Sequence, residues 1–249
     1  MIIFIKNFLK KILRYQHIYL PLPLFAYRSL FKIKILHNIF YKYYILCFDT
    51  DFNYKKENTT EQNQKYWLSK RSLYWHFAHL YNNRFNERFK EIYQNHRKLF
   101  DGKCCCDLMA GVGSVYIINK LDLKEMIFIE KNKYCCEFLR KNFSNSKIIN
   151  EDWKYIEKIS NNIDTLILIS GCLIYLDEKD IENFFKATKN IKNMILINDG
   201  TYLDDFKVWS GHNYWNLKKR LKKYNYYYKT AKFYTKESDS IYRYFIMEG

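Results

Sequence analysis

A chain of 249 residues, 48% of them hydrophobic, has the apolar surface for a sizeable core. This excludes wholesale disorder and suits one catalytic domain with an accessory segment. Its longest uninterrupted apolar run, 18–27, is ten residues, against the roughly 20 that a membrane-spanning helix needs, and no signal-peptide cleavage pattern accompanies it. The formal net charge is +16, and half of it lies near the start: eight Lys and Arg precede the first acidic residue, Asp49.

Residues 2–15 place apolar side chains at 4, 5, 8, 9, 12 and 13, with Lys6, Lys10, Lys11 and Arg14 between them. That spacing predicts a basic amphipathic helix, interrupted downstream by Pro21 and Pro23. Two readings of 1–48 stay open: an interfacial helix drawn to anionic lipid, or an extension packed on the domain. Residues 49–64 are polar and charged and read as a linker. A stripe of Leu73, Phe77, Tyr81, Phe85 and Phe89 then predicts helix, with Asn82 and Asn83 as a break and Asp101-Gly102 as the end. Residues 49–102 are thus a linker and helical cap.

From 103 to 249 the pattern changes. Short apolar runs at 103–109, 126–130, 147–150, 165–169 and 194–198 alternate with amphipathic stretches such as 133–143 and 179–189. Continuously apolar strands alternating with helices predict an α/β fold with a parallel sheet covered on both faces. The β-rich runs 225–234 and 240–247, joined through 235–239, read as an antiparallel hairpin.

The seven cysteines are Cys47, Cys104, Cys105, Cys106, Cys135, Cys136 and Cys172. Neighbours on a strand point to opposite faces, so the three consecutive ones form no disulfide ladder. No C-x-x-C pair occurs, which argues against zinc and leaves no metal site expected. Buried, reduced thiols in the cytosol are the expectation.

The chemistry centres on Asp107-Leu-Met-Ala110-Gly111-Val-Gly113, a Gly-rich turn from strand to helix through which backbone approaches a ligand. Glu130 ends the next apolar run, where a carboxylate accepts hydrogen bonds from ribose hydroxyls. Asp152 and Trp153 follow the third run; an acid there accepts an adenine amino proton and an indole covers a ring face. Ser170-Gly171 ends the fourth. All four features fall at the carboxyl ends of parallel strands, where open α/β sheets bind ligands.

This order of elements resembles the class I S-adenosyl-L-methionine (SAM)-dependent methyltransferases, over roughly residues 100–249. The resemblance implies a Rossmann-like, seven-stranded, mostly parallel sheet with a C-terminal antiparallel hairpin, here preceded by an N-terminal helical segment. It implies SAM as cofactor, held by Asp107, Ala110, Gly111 and Gly113, with Glu130 on the ribose, Asp152 and Trp153 at the adenine and Ser170 near the methionine moiety. Met109 stands where the family's loop has its first glycine.

For the acceptor, Tyr175, Asp199 and His212 are the catalytic candidates. Asp199 ends the fifth run, and His212 titrates nearest neutrality. His76 and His79 lie on the preceding helical stretch; in the family such helices often roof the site, and each histidine is read as a surface or core residue. The Asn/Asp-Pro-Pro-Tyr/Phe signature of amino-group methyltransferases is absent. The stretch Ser170-Gly-Cys-Leu-Ile-Tyr-Leu176 is similar to that of small-molecule methyltransferases, including sugar O-methyltransferases. This implies a hydroxyl acceptor on a small polar molecule, such as a sugar or lipid-linked sugar of a surface glycan. The expected location is the cytoplasm, with peripheral contact to a membrane's inner face through 1–48. Two alternatives stay open: an RNA methyltransferase, which the net charge permits although no RNA-binding module is present, and a non-catalytic, membrane-associated binding protein on this scaffold.

Overall fold

The structure, a computed structural model, describes residues 60–69, 72, 76, 83–113, 121–169, 173, 176–198, 227–235 and 238–248. The basic segment 1–48 lies outside them. Helix α1 (Thr60–Trp67) comes first. It begins inside the stretch read as linker. Polarity marks exposure to water, not the lack of a helix, and Glu61, Gln62, Gln64 and Lys65 are good helix formers. Helix α2 (Asn83–Asn95) follows, starting at the asparagine pair. Its Phe89 and Ile92 are buried, and Phe89 meets Phe100 edge to face at 5.8 Å.

Seven strands make one sheet: β1 (Cys104–Leu108), β2 (Glu125–Ile129), β3 (Lys147–Ile149), β4 (Thr165–Ile169), β5 (Asn193–Asn198), β6 (Tyr227–Thr235) and β7 (Ser238–Glu248), in the order β3-β2-β1-β4-β5-β7-β6. The first five are mutually parallel. β7 runs antiparallel to β5, and β6 antiparallel to β7. The β6–β7 ladder continues to Thr235 opposite Ser238. Thr235, Ser238 and Asp239, expected in the connecting turn, are therefore in strand. Backbone pairing at a sheet edge needs no apolar side chains.

Strand alternation sorts the central side chains into two cores. Cys104, Cys106 and Leu108 pack with Ile127, Ile129, Leu166, Leu168 and Leu196 on one face. Cys105 packs with Met126, Phe128, Ile167 and Ile195 on the other. Helix α3 (Lys133–Asn142) gives Leu139 to the second core, and α4 (Glu178–Thr188) gives Ile181, Phe184 and Phe185 to the first. Both helices start on side-chain caps: Asn132 accepts from Tyr134 N at 2.9 Å, and Asp177 accepts from Asp180 N at 2.7 Å. The order reverses between β1 and β4, so a crevice opens where their carboxyl ends diverge.

Candidate active site

The loop after β1 bends through three left-handed residues, Met109 (φ 56°), Gly111 (φ 55°) and Gly113 (φ 66°). Met109 thus holds the conformation that glycine adopts freely, at a cost of about 1–2 kcal/mol. The two glycines do different work. A methyl group on Gly113 would lie 2.9 Å from both Leu139 and Phe128, so this glycine lets the loop close on α3 and β2. A methyl on Gly111 would instead lie 2.5–2.9 Å from the imidazole of His76. Gly111 is the point of close approach, and His76 is what approaches it.

Glu130 locks this loop to β2. Its Oε2 accepts from Gly111 N and its Oε1 from Asn132 N, each at 2.7 Å. Its backbone is fixed as well: Glu130 N donates to Ile149 O at 3.0 Å, while Glu130 O accepts from Asn150 Nδ2 at 3.0 Å and from Cys136 Sγ at 3.1 Å. Burial raises the carboxyl from 4.5 to about 6, and the donated backbone N–H groups pull it part of the way back. Asp107, only 1% exposed, is raised well above the usual carboxylate range, chiefly by burial and then by the charge of Glu130. Its Oδ2 has no hydrogen-bond partner among the described residues. A buried acceptor left open beside a second carboxylate suits a ligand that brings donors or positive charge.

The remaining candidates divide. Ala110 is buried under the loop and donates its N–H to Ile129 O at 3.2 Å. Asp152 caps the short helical turn after β3, accepting from Lys154 N at 3.3 Å, and pairs with Lys131 Nζ at 2.9 Å on the rim. Trp153 is 7% exposed and meets Phe184 edge to face at 5.9 Å, so core packing accounts for it. Ser170, Tyr175, Asp199 and His212 lie outside the described residues, as does His79. Among the described residues no cluster of His, Cys, Asp or Glu could hold a metal, and no helix is long and apolar enough to cross a membrane.

One residue missing from the sequence reading is Asn132. Its position two residues past Glu130, at a helix start, is a visible capping signal. Its side-chain amide, however, reaches back 60 residues or more to Trp67 O (2.7 Å), Ser69 O (3.0 Å) and Ser72 Oγ (2.9 Å). No local pattern announces that contact.

This architecture matches solved methyltransferases. Magnesium protoporphyrin IX methyltransferase from Synechocystis PCC 6803, with SAM bound, is 12% identical; the match covers 77% of this chain and 98% of that one, with a TM-score of 0.55. A SAM-dependent methyltransferase from Leishmania major is 15% identical over 76% of this chain and 82% of its own, at 0.56. An N-methyltransferase from Bradyrhizobium japonicum WM9 is 10% identical over 67% and 97%, at 0.53. The fold is that of the SAM-dependent methyltransferases. No protein-family model and no curated protein sequence matches this chain.

Proposed function

We propose that the protein is a SAM-dependent methyltransferase acting on a hydroxyl of a small polar acceptor. The observation that carries the cofactor is the pair of carboxylates at the Gly111 loop: half-buried Glu130, aligned by two backbone N–H groups, and buried Asp107, whose Oδ2 has no partner among the described residues. SAM fits that set of acceptors. It brings two ribose hydroxyls for a carboxylate at the end of β2, and a sulfonium and an ammonium that favour ionised neighbours. When bound, SAM supplies an electrophilic methyl group. Asp152 then serves the adenine amino group from the rim, and Ser170 the methionine moiety. Asp199 takes the acceptor's proton, with His212 and Tyr175 orienting that acceptor.

Calorimetric titration with SAM, with NADH as comparison ligand, tests the cofactor. Micromolar binding of SAM alone supports this reading; folded protein that binds neither removes it. Asp199→Ala is expected to leave SAM affinity unchanged and lower turnover by about 100-fold or more, the usual range for a lost general base. Unchanged turnover on an accepted sugar would take Asp199 out of the reaction.

Glu130 gives the ligand-free and ligand-bound proteins opposite pH behaviour. Its folded pKa, about 6, lies above its ordinary 4.5. The folded chain therefore holds this proton more tightly than the unfolded chain does. The group costs roughly 2 kcal/mol of stability above about pH 6, and that cost disappears as pH falls through about 4.5. Ribose hydroxyls donate to the ionised form, so SAM affinity should fall as pH drops below about 6. Titrations between about pH 7 and 5 check this; an affinity that stays flat or rises on acidification contradicts the ribose role.

A further inference from the structure

We propose that Asn132 holds Trp67, Ser69 and Ser72 against the cofactor site and that His76 touches the cofactor beside Gly111; the proposal rests on the SAM reading above. Asn132 is 1% exposed, and its side chain works in two directions. Its Oδ1 caps α3, while the two hydrogens of its Nδ2 are shared among Trp67 O, Ser69 O and Ser72 Oγ. Its own N–H goes to Glu130 Oε1. One residue thus joins the ribose-binding carboxylate to a segment more than 55 residues earlier in the chain.

Ser72 completes the clasp. It is fully buried, and its hydroxyl accepts from Asn132 while lying within hydrogen-bond reach of Trp67 O (2.9 Å) and Ser69 O (3.0 Å). Ser72 is fixed on Asn132, and the His76 ring lies against Gly111, at the position a side chain there would take. Trp67 supports that ring at 5.7 Å between centroids. In a Gly-rich loop of this kind the second glycine is where a ligand meets backbone, and the third serves helix–strand packing. Gly113 is closed by protein. The three atoms nearest to where a Gly111 side chain would start all belong to the His76 ring, so a cofactor approaching Gly111 meets that imidazole.

The test compares wild-type full-length chain with His76→Ala, His76→Phe and Asn132→Ser, reading SAM affinity, melting midpoint and hydrogen exchange at 60–69. Serine caps a helix as asparagine does, so Asn132→Ser spares α3 and removes only the amide clasp. Expected are a Kd raised about tenfold in His76→Ala, recovery in His76→Phe, which keeps a planar ring, and a melting midpoint close to wild type in both. Asn132→Ser should raise Kd by a similar factor and speed exchange at 60–69. Wild-type affinity in both His76→Ala and Asn132→Ser overturns this inference and leaves the SAM reading standing. Equal losses of affinity and of melting midpoint in His76→Ala and His76→Phe make His76 structural and also overturn it. Folded wild type that does not bind SAM overturns both.

Discussion

Alanine at Gly111 is expected to lower stability by about 2–3 kcal/mol, more than its left-handed conformation alone would cost. The backbone strain accounts for about 1–2 kcal/mol. The rest comes from steric conflict, because the new methyl would sit 2.5–2.9 Å from three atoms of the His76 ring. The conflict has a partner, so the effect is separable. His76→Ala in the same chain should restore the steric part and leave the strain. Urea unfolding of the two single variants and the double variant measures the coupling, expected at about 1 kcal/mol. Strictly additive losses would mean that the ring gives way without cost.

Replacing Glu130 by glutamine is expected to weaken SAM binding by about 100-fold or more, with a smaller effect on folding. Glutamine keeps one acceptor and turns the other into an NH2 group. That group would face either Gly111 N–H or Asn132 N–H, so a donor would meet a donor where a 2.7 Å hydrogen bond now stands. Folding loses a charge-assisted bond and gains relief from a buried charge, and these partly cancel. Binding has no such offset, since ribose hydroxyls lose both charge and an acceptor. The same variant should abolish the fall in SAM affinity below about pH 6 that Glu130's raised pKa of about 6 implies. Calorimetry at about pH 7 and 5.5 checks both points; a glutamine variant that binds like wild type would move the ribose elsewhere.

The five parallel strands were legible because each centres on a short apolar run, with polar residues at strand ends and Asp107 inside β1. Met109 was visible as a departure, and its φ of 56° explains it: the turn is kept and a non-glycine residue bears the strain. Glu130 was placed by its position at a strand end. Its bond to Gly111 N, which turns two motifs into one unit, was not. Trp153 shows the reverse problem. An aromatic after β3 reads equally as a ring cover or as core, and only its contact with Phe184 favours packing. Helix α1 was hidden because polar helix formers resemble a linker when no apolar stripe accompanies them. The clasp of Asn132 on Trp67, Ser69 and Ser72 is a long-range contact between residues that each look ordinary locally.

The cysteines of β1 and α3 give the molecule a built-in clock. Cys104, Cys105, Cys106, Cys135 and Cys136 are all buried and free. Burial pushes the Cys104 and Cys136 thiols up to about 11 and Cys105 to about 12, with Cys106 and Cys135 also raised, so thiolate is scarce near neutral pH. An alkylating reagent reaches the β1 group only when the centre of the sheet opens, and the α3 pair only when that helix lifts from β2. Labelling followed residue by residue by mass spectrometry therefore times two different openings in one unmodified chain. If the α3 pair labels well before β1, the layer that carries Asn132 and Glu130's neighbours breathes independently of the sheet.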